Sequence, residues 1–294
     1  RSCSLEHHPW AHTDCRGSKL MKVVVYTPHY NEKHQIVLRA LAEGMRACGT
    51  SVEIRDLRDY APCDVAVIFG SAKDSFPPTW PKREILSKHQ GRQLLMVESA
   101  FVRRGEYWQI GWGGYAGGAD FRNQGMPRDR WESFGVKTKP WKRRPDGPVV
   151  VCGQLPHDTQ VQAVDHIGWV RKTIEYYRSI KVPVIFRPHP RAHDRSIYGI
   201  PDHLWDIGKF GETLAKARCM VTWNSTSCID ALVAGVPVIA CNSGSIGWSM
   251  ARHSIEDINM LAFPSRRGFF ADLGYAQWNL EEIREGLPWR HLTR

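Results

Sequence analysis

The chain has 294 residues, 42% hydrophobic, 24% charged and 11% aromatic, with a mean hydropathy of −0.40, a profile that excludes disordered and fibrous classes. At roughly 100–200 residues per domain it holds one large or two medium domains, and a chain this long buries a core without disulfides. No apolar run approaches the ~18 residues of a membrane span, and a net charge of +10 predicts an anionic partner such as nucleic acid, a phosphorylated small molecule or an acidic surface.

Residues 1–20 carry no apolar segment of signal-peptide type, and Met21 opens MKVVVYTPHY as a natural start would. The tail is expected to be disordered, as an upstream translation artefact or cloning remnant, although His7, His8, His12 and Cys15 offer metal-binding chemistry. From Met21 onward the pattern alternates. Val23–Tyr26 reads as a buried strand, Ile36–Met45 as a helix, and Val52–Ile54, Asp64–Phe69 and Gln93–Val97 as further strands, with a helix at Arg83–His89. Glu98 stands at the end of the fourth strand. Such a βαβ series predicts a parallel sheet with helices on both faces.

Residues 101–147 break this pattern. They hold ten Lys/Arg against five Asp/Glu, a glycine-rich stretch at 112–125 and the sequence KTKPWKRRPDG at 137–147, which has the composition of a linker. A second series follows. Strands are expected at Val149–Cys152, Val184–Arg187, Cys219–Thr222 and Pro237–Cys241, and helices at Val164–Ile180, Phe210–Ala217, Cys228–Ala234 and Leu280–Glu285. The expected organisation is α/β, with two Rossmann-like domains built on parallel sheets. An N-terminal domain spans 21–136, a basic linker 137–147 and a C-terminal domain 148–294. Eight cysteines with no CxxC pair read as the thiols of a reducing cytosol. Cys63, Cys152, Cys219, Cys228 and Cys241 lie in or beside apolar runs.

Polar clusters end the four second-half strands: GQLP, RPHPR, WNSTS and NSGS. Ligands of open α/β sheets bind outside the carboxyl ends of strands. Ser225, Thr226 and Ser227 stand where a helix begins, a place suited to an anion, although an ordinary N-cap needs only one such hydroxyl. Arg187, His189 and Arg191 sit on a proline-stiffened loop and carry phosphate-binding chemistry. Ser243 follows the last strand.

GQLPHDTQ (153–160), FRPHPR and WNSTSCIDALVAGVPVIA, in that order, resemble the capsule polysaccharide biosynthesis family of bacterial transferases, with its Gln-Pro and His-Pro motifs and its Kdo transferases. The resemblance covers roughly residues 148–245. It implies a GT-B-like layout, two Rossmann-like domains facing across a cleft, with a nucleotide-sugar donor on the C-terminal domain. Gln154 and Pro156 match the first motif, His189 and Pro190 the second, and Asn224, Ser225 and Thr226 the third. His189 is implied to contact the donor phosphates. The first half and the basic segment lie outside the resemblance, which leaves the acceptor open.

No metal or resident cofactor is expected, because the chain has no DxD motif, and Arg, His and helix ends can neutralise a leaving phosphate. TPHYN (27–31) is not a dinucleotide fingerprint. A transferase needs a base for the acceptor hydroxyl if it inverts. Glu98 is the first candidate, followed by Asp120 and His29. Arg103, Arg104, Arg122, Trp141, Lys142, Arg143 and Arg144 mix charge with stacking surface and point to duplex DNA, with a hydroxymethylated pyrimidine of phage DNA as acceptor and the infected host cytoplasm as location. A cell-surface glycan acceptor, a non-catalytic binding module and a sugar-nucleotide epimerase are the alternatives.

Overall fold

The computed structural model describes residues 21–192 and 194–294. The tail at 1–20, with its metal alternative, lies outside them. Strand β1 (Val23–Thr27) leads into α1 (Glu32–Ala47) and β2 (Val52–Asp56). The side-chain oxygen of Asn31 accepts the His34 N–H at 3.1 Å, which starts α1 one turn before its apolar stripe begins. Next come β3 (Val65–Phe69), α2 (Lys82–Lys88), β4 (Leu94–Ser99), β5 (Tyr107–Trp112) and α3 (Asp129–Ser133). The second series is β6 (Val149–Cys152), α4 (His166–Ser179), β7 (Val184–Arg187), α5 (Phe210–Lys216), β8 (Cys219–Thr222), α6 (Cys228–Val233) and β9 (Val238–Ala240). The chain closes with α7 (Arg267–Gly274), β10 (Gln277–Asn279), α8 (Leu280–Arg284) and α9 (Leu287–Leu292).

Two sheets result. The second, in the order β7-β6-β8-β9, is wholly parallel, as its continuous apolar strands predict. The first has the order β10-β5-β4-β3-β1-β2 and is mixed, which corrects the expectation of purely parallel sheets. Its β1–β4 strands are parallel, whereas β5 runs antiparallel to β4. The short 100–106 connection leaves no room for the crossover that a parallel pair requires.

The expected boundary also needs correction at the chain's end. Residues after Gly274 leave the second half, and β10 pairs antiparallel with β5 of the first sheet. Ile283, Trp289 and Leu292 then enter the apolar cluster under α1. Each such burial contributes about 1.5–3 kcal/mol, enough to draw the segment back. The Trp289 indole N–H donates to Thr50 Oγ1 at 2.8 Å, and that of Trp112 to Leu292 O at 3.1 Å.

The basic segment 137–147 is likewise no free linker. The Lys139 N–H donates to Val233 O at 2.8 Å and the Lys142 N–H to Gly235 O at 2.7 Å. Gly235 has φ +75°, and a Cβ there would lie 1.9 Å from Pro140 O, so the seat requires glycine. One apolar cluster, including Phe101, Phe121 and Trp131 from the first half and Met220, Ile229 and Phe270 from the second, joins the two sheets.

Candidate active-site cleft

In the second sheet the chain runs from β6 outward to β7 and then back to β8, so the strand order reverses between β6 and β8. A crevice opens at such a point. Gln154 follows β6 and the Ser225–Ser227 run follows β8, one on each side of it. The two are joined directly, since the Asn224 N–H donates to Gln154 Oε1 at 3.4 Å. His166, buried in the first turn of α4, accepts the Gln154 N–H through Nε2 at 2.8 Å. Tyr198 donates its hydroxyl proton to Gln154 O at 3.1 Å. Gln154 is therefore held on three sides.

The crevice belongs to a cleft of about 600 Å³ lined from both halves. The second half contributes Gln154, Arg187, His189, Arg191, Ser225 and Thr226, and the first contributes Lys73, Glu98, Arg104 and Tyr115. The halves touch at several places. The Tyr115 and Thr159 hydroxyls bond to each other, Gly117 N–H donates to Gly244 O at 3.1 Å, and Arg104 pairs with Asp230 at 3.0 Å.

Arg187 donates to Asp206 O and Gly208 O and stands 3.6 Å from the Asp206 carboxylate, so its guanidinium is fixed before any ligand arrives. His189 Nδ1 accepts the Arg191 N–H at 3.1 Å. The ring proton of neutral His189 is therefore assigned to Nε2. Burial, reinforced by the nearby Arg191 charge, lowers the His189 pKa, which keeps the ring neutral at pH 7.

The Ser/Thr run differs from its expectation in one respect. Helix α6 has six residues, and Ser227, its N-cap, makes no side-chain capping bond. The Cys228 and Ile229 N–H groups already donate to Ser225 O and Thr226 O. What faces the cleft is chiefly the hydroxyls, with Ser225 Oγ and Ser227 Oγ 2.9 Å apart. Asn224 is buried behind them, its Nδ2 donating to Gln160 O at 3.2 Å. Ser243 is exposed on the following loop and does not line the cleft.

Glu98, at the end of β4, faces the cleft as its strand position predicts. It accepts the Ser99 N–H at 2.8 Å. Desolvation raises its pKa above the ordinary carboxylate value, opposed in part by that hydrogen bond and by the charge of Lys82. Lys82 is buried, donates to Phe69 O and Ser71 O, and is pushed down to about 8, mainly by desolvation. Between them stands Gly70, with φ +59°, where a Cβ would come within 2.8 Å of Glu98 Oε2.

The other two base candidates are not brought to this cleft. Asp120 lines a separate depression with Arg92 and Arg122, and pairs with Arg92 at 3.7 Å. His29 is exposed beyond β1 and stacks edge-on with Tyr30. A carboxylate that the sequence reading passed over is Asp158. It lines the cleft from the second half, inside the very motif that carries Gln154. Its spacing from Gln154 was the available signal.

The basic and aromatic residues disperse. Arg104 alone of the seven lines the cleft. Arg103 pairs with Glu106 at 2.6 Å. Trp141 donates its indole proton to Pro264 O at 3.0 Å and lies under Arg266 at 3.9 Å, so its ring is not free to stack on a base. Lys142 is anchored through its backbone, Arg143 rests over Phe263 at 4.2 Å, and Arg144 is exposed.

Among the described residues no group of three or more His, Cys, Asp or Glu side chains is arranged to hold a metal, and no helix is long and apolar enough to cross a membrane. The six described cysteines are free thiols.

No family model and no curated protein matches the chain. Two solved structures resemble it in fold. The Thermosulfurimonas dismutans KpsC beta Kdo 2,4 transferase matches at 13% identity and a TM-score of 0.53, over 88% of this chain and 91% of that one. The beta Kdo 2,7 transferase of the same organism's KpsC matches at 13% and 0.53, over 92% and 99%. The likeness extends over nearly the whole of both chains, and with the two sheets it establishes an α/β fold of two Rossmann-like domains in the GT-B-like arrangement.

Proposed function

We propose that this protein is a glycosyltransferase. It takes a sugar from a nucleotide-sugar donor held at the carboxyl ends of β6, β7 and β8 and passes it to a hydroxyl of a glycan held by the first half. One observation carries this reading. A single cleft gathers the Gln154, His189 and Ser225–Thr226 motifs on one wall and a desolvated carboxylate, Glu98, on the other. Arg187, Arg191 and the Nε2–H of His189 meet the donor phosphate. As its bond to the anomeric carbon breaks, negative charge grows on the phosphate, and fixed cations and donors stabilise it. The acceptor oxygen bonds to the anomeric carbon, and its proton passes to Glu98.

A glycan suits this cleft better than DNA. A duplex acceptor requires a basic track leading to the reaction centre, whereas of the proposed DNA-binding residues Arg104 alone lines the cleft and Trp141 is packed into the protein.

The test is a screen of UDP-, GDP- and CMP-sugars with soluble capsule and lipopolysaccharide-core oligosaccharides, read by mass spectrometry, with hydroxymethylcytosine DNA in parallel. A glycosyl mass gain on an oligosaccharide is expected. A gain on DNA alone would replace the glycan acceptor, epimerisation of a donor without any acceptor would replace transfer, and no turnover of any donor would leave a binding module. His189→Ala is expected to cost about tenfold or more in kcat/KM, ~1.4 kcal/mol at least. Unaltered kinetics in that variant would remove His189 from the donor site.

A further inference from the structure

Among the described residues, the exposed aromatic side chains are Phe76 and Trp80, at 41% and 43%, and both stand on one loop. Single exposed apolar residues are ordinary. Two aromatics four positions apart beside a polar cleft are not.

The loop is stiff. Pro77, Pro78 and Pro81 restrict it. Buried Thr79 donates its hydroxyl proton to Phe76 O at 2.8 Å and accepts the Lys73 N–H at 2.8 Å, closing the loop on itself. The Trp80 indole N–H donates to Lys73 O at 3.1 Å, and the Arg83 guanidinium covers one ring face at 4.8 Å. Phe76 rests edge-on against Tyr30 at 5.3 Å. The loop is also continuous with the cleft. Lys73 lines it, the Asp74 N–H donates to Gln162 Oε1 at 3.2 Å, and Gln162 Nε2 donates to Ala72 O at 3.2 Å. The two rings therefore stand beside the place where the first half meets the second.

We infer that the Phe76–Trp80 loop is an acceptor subsite that stacks a sugar ring one or more residues away from the ring that reacts. This rests on the glycan acceptor proposed above. A pyranose has an apolar face of C–H bonds and a polar rim of hydroxyls. A fixed indole with one covered face offers the complementary surface, burying the C–H face while the rim stays in water, with little conformational entropy left to lose. Insertion into a lipid surface is the less fitting use. It needs aromatics free to protrude and an unopposed basic flank, whereas Arg83 here is paired with Asp74 at 2.9 Å.

The experiment compares Trp80→Ala, Phe76→Ala and the conservative Trp80→Phe with the full wild-type chain, after thermal unfolding shows that each folds. Transfer to soluble oligosaccharides of increasing length is measured alongside donor hydrolysis. Trp80→Ala is expected to raise acceptor KM for the longer oligosaccharides by about tenfold. KM for a monosaccharide acceptor and the hydrolysis rate should stay unchanged, and Trp80→Phe should recover most of the loss. Unchanged KM at every length in both alanine variants overturns the proposal. So does loss of sedimentation with phosphatidylglycerol vesicles while acceptor KM stays fixed, since that assigns the loop to a membrane. If the wild type transfers to nothing, the glycosyltransferase reading fails first. Saturation-transfer NMR with the same oligosaccharides then decides. A wild-type signal lost in Trp80→Ala keeps the sugar subsite, and no wild-type signal removes it.

Discussion

Glu98→Gln is expected to lower kcat for glycosyl transfer by about 10²–10⁴, the usual contribution of a positioned general base, with donor KM nearly unchanged. Glutamine keeps the shape and can still accept the Ser99 N–H, so the loss reports the missing proton acceptor. The raised pKa gives this prediction a pH signature. The base works only when ionised, so wild-type kcat/KM falls as pH drops through a value above the ordinary carboxylate range. That limb disappears in the variant. Stability moves the other way. Between the unfolded and the higher folded pKa, the native state binds more protons, so folding stability falls as pH rises through that window. Glu98→Gln removes this cost and is expected to be at least as stable as wild type at neutral pH. Asp158→Asn is the companion measurement. If it, and not Glu98→Gln, shows the large loss and the altered pH limb, the base is Asp158.

Arg130→Met is expected to destabilise the protein by about 3–5 kcal/mol, the usual consequence of leaving one partner of a buried pair uncompensated. Arg130 grips Glu282 with both terminal nitrogens, at 2.7 and 3.0 Å, and the two side chains are only 13% and 21% exposed. It also donates to Gly274 O and Gln277 O and lies over the Trp278 ring at 4.0 Å. Glu282 in turn accepts the Asn279 N–H in the capping box that starts α8. One guanidinium thus holds α3, β10 and α8 together. Thermal unfolding should register a fall of roughly 6–12 °C for the lower end of that range. Arg130→Met/Glu282→Gln should recover part of it, because the stranded charge is gone. A loss below about 1 kcal/mol would place Arg130 with ordinary surface pairs.

The contrast between these two residues shows what a sequence can and cannot convey. Glu98 was legible because buried parallel strands are unbroken apolar runs, and LLMVES ends one with a carboxylate. The same logic located Gln154, His189 and the Ser225–Thr226 run at strand ends. Arg130 was not legible, since its partner lies 152 positions away and a basic run reads alike whether it is solvated or buried. Strand β5, YWQIGW, interleaves aromatics with a glutamine and lacks the apolar run of its neighbours. Three-residue β10 is too short to show a period at all. Those two omissions placed the end of the chain in the wrong domain and left residues 101–147 without architecture. Trp141 was misread for a related reason. Its position among five cations at 137–144 suggested a stacking surface, but the groups it meets, Pro264 and Arg266, lie more than 120 residues downstream.

The return of β10 to the first sheet has a consequence for synthesis. All four strands of the second sheet end by Ala240, so that sheet can close while the ribosome is still making the rest. The first sheet, though its strands begin at Val23, lacks its edge until Gln277–Asn279 emerge, and α1 lacks the helix that covers it until Leu280–Arg284 follow. The half translated first is therefore completed last. During that interval the outer side of β5 is an open strand edge, the kind of surface that recruits stray partners. Ribosome-stalled chains ending near Gly274 should thus present a finished donor-side sheet beside an incomplete acceptor-side one.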